Sequence, residues 1–351
     1  MTDKAAIRAK AEALHARFAA EGAEVFETDI LQPAGDLLDL YGEDIRARAF
    51  VTHDPLRGEM MLRPDFTLPL VQQHMAEGRG EARYTYSGKI FRRQEDDPSR
   101  AVEYQQVGFE VFSGATPADA DAEVFALFLN VLRPYDLRFA MGDIGLLIAA
   151  VSGLGTTEDR KAALRHHIWR PGRFRKLLAR FGQPAALRNP VTATGAEIGL
   201  RTRAEVDTRL AALVHEQTVP PLSADEIALL DELLSVKGGA SDAVARLQDI
   251  EVDLPSIRSA VDGLRARFDA FDAQGIDVEA LSFEASYGRT TLEYYDGFVF
   301  GFHAEARPDL PPVATGGRYD ALTSAVGGGV GVPAVGGVVR PGLLVDLEGG
   351  A

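Results

Sequence analysis

Two stretches, residues 84–93 and 103–112, constrain this chain most. Both are rich in aromatic and β-branched residues, and a charged loop containing Pro98 joins them, so they read as a long antiparallel hairpin. Alternation along the second strand puts Gln106, Gly108, Glu110 and Phe112 on one side, and Gln105, Val107, Phe109 and Val111 on the other. Gln and Glu on one side of an otherwise apolar ribbon point to a polar pocket, because burying them unpaired is costly.

The 351 residues can build one large domain with an insertion, or two domains. A net charge of −15 opposes broad nucleic-acid binding, which needs cations against phosphate, and leaves room only for a local basic groove. With no cysteine, disulfides, thiolate metal sites and cysteine nucleophiles are excluded, a usage that suits a reducing cytoplasm. Asp3, Lys4, Arg8, Lys10 and Glu12 interrupt any signal-peptide core. No apolar run reaches the roughly 18 residues of a membrane span. A cytoplasmic location without membrane contact is the expectation.

Periodicity predicts a helix over 4–21, with Ile7, Ala11, Leu14 and Phe18 on its apolar stripe and Thr2 or Asp3 as cap. A strand is expected over 25–30 and a helix or irregular stretch over 36–41. Short paired strands are expected at 49–52 and 59–63, then a helix from Pro64 to about Ala76 capped by Asp65 or Thr67. After the hairpin come a helix over 118–132, a strand over 137–141 and a largely helical run from 144 to 270. Strands return over 282–287, 291–302 and within the Gly-rich 315–339. Strand, helical insertion, strand is an α+β order. The expected division is a discontinuous core, 1–145 plus 275–351, and a mostly helical insertion with a connecting helix over 146–274.

Gly327-Gly328-Gly329-Val330-Gly331 has neither Walker nor dinucleotide spacing and reads as tight turns. His166 and His167 are adjacent on a helix, so they diverge by about 100° and cannot jointly grip one metal. No metal or other cofactor is expected. Arg165, Arg170, Arg173, Arg175, Lys176 and Arg180 form the densest basic stretch, which is either a solvated helix face or a surface for phosphate or an acidic partner. Taken alone, Gly316-Gly317-Arg318-Tyr319-Asp320 reads as a turn whose Asp caps the next helix.

Beside the hairpin, these segments in this order resemble a class II aminoacyl-tRNA synthetase core of the histidyl lineage. Phe26-Glu27-Thr28-Asp29-Ile30-Leu31-Gln32-Pro33 is similar to the first class signature, which lies at a dimer interface. Phe91-Arg92 and Tyr104-Gln105-Gln106-Val107-Gly108-Phe109-Glu110-Val111-Phe112 resemble the second. Leu62-Arg63-Pro64-Asp65-Phe66-Thr67 is similar to Arg-Pro-Glu-Gly-Thr, and Leu292-Glu293-Tyr294-Tyr295 to the histidine-specific Leu-Asp-Tyr-Tyr. Gly316-Gly317-Arg318-Tyr319-Asp320 matches Gly-Gly-Arg-Tyr-Asp. The resemblance implies an antiparallel sheet flanked by helices, self-association as a dimer, and a histidine pocket. In that pocket Asp65, Thr67 and Gln106 would hold the α-amino group, Glu110 and Tyr295 would face the imidazole with Tyr294 nearby, and Arg92 would meet the carboxylate. The chemistry is coherent: an amine wants a carboxylate and neutral acceptors, a carboxylate wants Arg, and an imidazole wants a partner on each nitrogen.

The departures decide the expected function. The synthetases' Arg-Gly before Leu-Asp-Tyr-Tyr is Thr290-Thr291 here, with Arg289 one position earlier and, on a strand, facing the other side. Losing a cation where charge develops removes orders of magnitude of rate. Gln94 stands where Glu is expected, residues 94–100 form an acidic rather than an arginine-rich loop, and 334–344 lack the third signature's Gly-x-Glu-Arg. With the chain ending at Ala351, no anticodon-binding domain is expected. Histidine recognition without ATP activation or tRNA charging resembles the regulatory-subunit family of ATP phosphoribosyltransferase. That implies a non-catalytic partner of a short catalytic subunit, required for its activity and for its response to the effector histidine at the first step of histidine biosynthesis. Two other readings stay open: an active amino-acid-activating enzyme, and a binding or scaffold paralogue with a vestigial pocket.

Overall fold

The computed structural model describes residues 3–35, 40, 45–94, 100–113, 116–185, 199, 201–290 and 293–349. The expected stretch at 36–41 apart from Leu40, the charged loop over 95–99, and the pair Thr291 and Leu292 lie outside the described residues.

Helix α1 (Lys4–Ala20) begins where the Asp3 carboxylate accepts from the Ala5 and Ala6 amides, and it buries Ala11, Leu14 and Phe18. There follow β1 (Glu24–Val25), β2 (Leu31–Pro33), β3 (Val51–Asp54), β4 (Gly58–Leu62), α2 (Thr67–Ala76), β5 (Ala82–Phe91), β6 (Glu103–Phe112), α3 (Pro117–Leu132) and β7 (Leu137–Asp143). A helical stretch comes next: α4 (Ile144–Ser152), α5 (Glu158–His166), α6 (Pro171–Phe181), α7 (Arg203–Glu216) and α8 (Ala224–Ser235). Strand β8 (Lys237–Gly238) separates these from α9 (Ala240–Asp253) and α10 (Arg258–Ala273). The chain closes with β9 (Phe283–Glu284), β10 (Phe298–Ala304), β11 (Ala314–Arg318), α11 (Asp320–Val326), β12 (Ala334–Val339) and α12 (Pro341–Gly349).

Nine strands form one sheet in the order β1-β5-β6-β12-β11-β10-β7-β9-β8, antiparallel except for β1 with β5 and β7 with β9. A small second sheet runs β2-β4-β3. The hairpin extends over the full length of β5 and β6, with Tyr84 opposite Glu110 and Gly88 opposite Gln106. Its two faces differ as alternation predicts. Phe109 packs against Phe18 of α1, whose ring also meets Phe128 of α3. Phe125 of α3 adds contacts to Phe271, Phe298 and Phe300. Each such fully buried phenyl contributes about 2–3 kcal/mol by area removed from water. The opposite face carries Gln106, Glu110 and Phe112 beneath α2, where His74 stacks on Phe112 at 3.9 Å.

Four expectations need correction. The strand expected over 25–30 is only β1 and, separately, β2. Between them Gln32 donates to the Thr28 hydroxyl and the Asp29 carbonyl, and Arg63 to the Thr28 carbonyl, so side chains hold this backbone as it passes from one sheet to the other. The strand expected over 282–287 stops at Glu284, because the Tyr287 amide closes a turn onto the Glu284 carbonyl. The strand expected over 291–302 starts only at Phe298, because Asp296 bonds the Asp320 and Ala321 amides and so must turn toward the start of α11. Neither Asp65 nor Thr67 is the cap residue of α2. Phe66 occupies that position without a side-chain bond; Asp65, one residue earlier, only reaches the Leu68 amide at 3.5 Å, and the Thr67 hydroxyl turns to Glu110.

Candidate functional site

Glu110, 1% exposed, is the centre of the site face. The Thr67 hydroxyl (3.1 Å) and the Tyr86 hydroxyl (2.9 Å) donate to its Oε1, and the Tyr319 hydroxyl (2.8 Å) to its Oε2. Glycines make room for this arrangement. Register sets Gly108 opposite Tyr86, Gly336 opposite Glu110, and Gly317 opposite Gly336. A Cβ at Gly108 would land on the Tyr86 ring, one at Gly336 on the Glu110 carboxyl, and one at Gly317 would come 2.8 Å from the Tyr295 ring. Burial pushes the Glu110 carboxyl up to about 7; the three hydroxyls work against that rise, and the charge of Asp65 adds to it.

Asp65 stands just before α2. Its carboxylate lies 3.7 Å from the Arg92 guanidinium and accepts at 3.5 Å from both the Tyr294 hydroxyl and the Leu68 amide. Arg92 is held by donation to the Pro64 carbonyl at 2.7 Å. Tyr295 is buried over Gly317, and burial with the charges of Glu110 and Asp65 drives its phenol far above the ordinary range. Gln106 shares the face of Glu110 on β6, and its buried Oε1 has no hydrogen-bond partner among the described residues. A buried amide oxygen in that condition matches a ligand N–H.

All seven residues singled out from the sequence therefore lie on this buried face. Asp65 meets both Arg92 and Tyr294, Thr67 touches Glu110, and Tyr295 feels the charges of both carboxylates. Sequence reasoning missed Tyr86 and Tyr319 as partners of Glu110. Tyr86 was findable, since an aromatic residue opposite a strand glycine has room to lie across it. Arg340, in the stretch 334–344 read only for its missing third signature, was missed as well. It converges with Arg92 and Arg48 on Tyr104, whose phenol is raised by burial but brought below the ordinary range by those three charges. That end of the site suits an anionic group.

Arg289 and Glu293, ahead of Tyr294, are engaged elsewhere. Arg289 donates through Nε to the Ile168 carbonyl at 2.9 Å and stacks on Phe174 of α6 at 4.8 Å. Glu293 pairs with Arg170 at 2.9 Å. On the helical face, Arg318 of β11 and Arg267 of α10 both grip Asp121 of α3, and Arg267 also reaches Asp143 of β7. The Gly-rich 327–331 holds turns, with Gly328 at φ 64 and Gly329 at φ 100, as its spacing suggested. Among the described residues no cluster of three or more His, Asp or Glu could hold a metal, and no helix is long and apolar enough to cross a membrane.

A family model described as histidyl-tRNA synthetase matches residues 2–341. A protein of Rhizobium rhizogenes named ATP phosphoribosyltransferase regulatory subunit is 30% identical, over 92% of this chain and 93% of its own length. The chain belongs to the histidyl-tRNA synthetase-like family of ATP phosphoribosyltransferase regulatory subunits. A second regulatory subunit of the family, from Mesorhizobium japonicum, is 28% identical over 91% of this chain and 92% of its own. Solved structures carry the same fold. A protein from Bacillus halodurans described as an ATP phosphoribosyltransferase regulatory subunit/histidyl-tRNA synthetase gives a TM-score of 0.70 at 20% identity, covering 97% of this chain and 79% of that one. Histidyl-tRNA synthetase from Nostoc gives 0.66 at 14% identity, covering 99% and 73%. Regulatory subunits of this family thus share a large mixed sheet flanked by helices with the synthetases, and the glycine floor beneath Glu110 is part of that sheet here.

Proposed function

We propose that this chain is the non-catalytic, histidine-responsive subunit of a cytoplasmic ATP phosphoribosyltransferase, required by a short catalytic subunit for activity and for feedback by histidine. One observation carries the reading: the polar cluster around Glu110 and Asp65 is assembled and buried, while Arg289 is committed to the Ile168 carbonyl and Phe174. A pocket can recognise an amino acid without that cation, but stabilising an adenylate-forming transition state relies on it.

In this proposal Asp65, Thr67 and Gln106 receive the α-amino group. Glu110 and Tyr295 face the imidazole beside Tyr294, and Arg92 meets the carboxylate with Arg340 behind it. Histidine then shifts the assembly only to the extent that it binds one state better than another. The proposed division keeps 1–145 with 275–351 as core and 146–274 as insertion and connecting helix, with Arg267 anchoring that helix to α3. Exposed Val25, Ile30, Leu31 and Val51 on and beside the small sheet support a dimer through the core.

Two assays test this together. The chain should co-purify with and activate a short ATP phosphoribosyltransferase, and it should give no histidine-dependent ATP–pyrophosphate exchange above background. Clear exchange would make it an amino-acid-activating enzyme. Failure to bind or activate any short catalytic subunit would leave a scaffold reading.

A further inference from the structure

Helix α6 opens with Arg170-Pro171-Gly172-Arg173, against the ordinary electrostatics of a helix. Its first turn holds no acidic residue, and no side chain caps it. The positive end of a helix without a capping side chain or first-turn acid favours an anion instead. A second observation comes from the neighbouring loop. Arg289, 7% exposed, lies on this same turn through Ile168 and Phe174, and its Nη2 has no hydrogen-bond partner among the described residues. The indole N–H of Trp169, the residue after Ile168, is a buried donor in the same condition.

Burial, with the like charge of Arg175 nearby, pulls Arg289 down to about 10. A cation held this way lacks an offsetting negative charge. Glu293, the carboxylate of the adjoining loop, is engaged by Arg170 at 2.9 Å. The turn is also approachable, because a Cβ built at Gly172 meets nothing within 4 Å, and Arg175 is exposed.

We propose that the start of α6, with Arg289, Arg175 and the Trp169 N–H, is a binding site for the phosphate group of a small phosphorylated molecule. Phosphate oxygens would accept from the Gly172 amide, from Arg289 Nη2 and from the indole, while Arg175 supplies a second charge. This site is separate from the Glu110 cluster and takes a ligand of different chemistry. It also gives the basic stretch at 165–180 a role beyond a solvated face.

Trp169 is the sole tryptophan of the chain, so its fluorescence reports on the site. The full chain is titrated with inorganic pyrophosphate at constant ionic strength, with inorganic phosphate as a parallel arm to distinguish a lone phosphate from a polyphosphate group. The expected result is a saturable change, with a rise in melting temperature. The change is lost in Arg289→Met, which keeps the contact with Phe174, and weakened about tenfold in Arg175→Gln, an exposed position that leaves the fold alone. No saturable change with either anion up to about 10 mM would overturn the proposal, as would a response that follows ionic strength alone. Wild-type affinity in Arg175→Gln, or in folded Arg289→Met, would also overturn it.

Discussion

The two faces of the nine-stranded sheet both bury charge, and they treat it differently. On the helical face Asp121 sits between Arg267 (2.8 Å) and Arg318 (2.7 Å), and Arg267 also reaches Asp143 at 2.8 Å, so each charge has a close opposite. On the other face Glu110 is surrounded by neutral hydroxyls, its carboxyl lifted to about 7, while the Gln106 Oε1 has no partner among the described residues. The first arrangement ties α3, α10, β7 and β11 together. In the function proposed here the second holds polar groups for a ligand at the expense of stability. Under that reading matched burial marks scaffold and unmatched burial marks site.

Removing the buried carboxylate should have opposite signs on the two faces. The largest effect is expected at Asp121→Ala, which leaves Arg267 and Arg318 short of a buried partner and should destabilise the fold by about 3–5 kcal/mol in chemical denaturation. A loss below about 1 kcal/mol would mean that the chain of ion pairs is no strut. Glu110→Gln should act the other way. The folded-state value of about 7 lies above the ordinary 4.5, so the stabilisation from protonated Glu110 is full below about 4.5 and lost as pH rises through about 7. Glutamine suffers no such loss, and its stability relative to wild type should rise by about 3 kcal/mol between about pH 4 and pH 8. A flat difference across that window would show that Glu110 is not held near neutrality. Tyr319→Phe is the smallest of the three. It removes one donor to the carboxylate and should lower stability above neutral pH by about 1–2 kcal/mol, with a higher Glu110 titration visible by carboxyl NMR.

The sequence showed the hairpin and its faces because period-two alternation in a long aromatic ribbon is hard to mistake, and the placing of Gln106 and Glu110 together on one buried face followed. It was less informative where side chains rather than ladders hold the backbone. Nothing local at Val25 or Ile30 foretells that Gln32 and Arg63 hold the intervening carbonyls. Nor does the Leu292-Glu293-Tyr294-Tyr295 run reveal that Asp296 must reach α11. Tyr319 was visible only as part of a turn motif, since its partner lies across two strands. Arg289 was read as displaced to the other side, but its destination in the insertion depends on packing over 121 residues of separation.

The most direct test of the central claim is calorimetric titration of L-histidine into the wild-type chain and Glu110→Gln at about pH 8, where the variant is expected to be the more stable of the two. Lost heat in the variant then reports recognition, not folding. The account predicts saturable binding by the wild-type chain and affinity at least about tenfold weaker in the variant. Equal affinity in both would contradict it, as would no binding by wild type at millimolar histidine, alone or with the catalytic subunit.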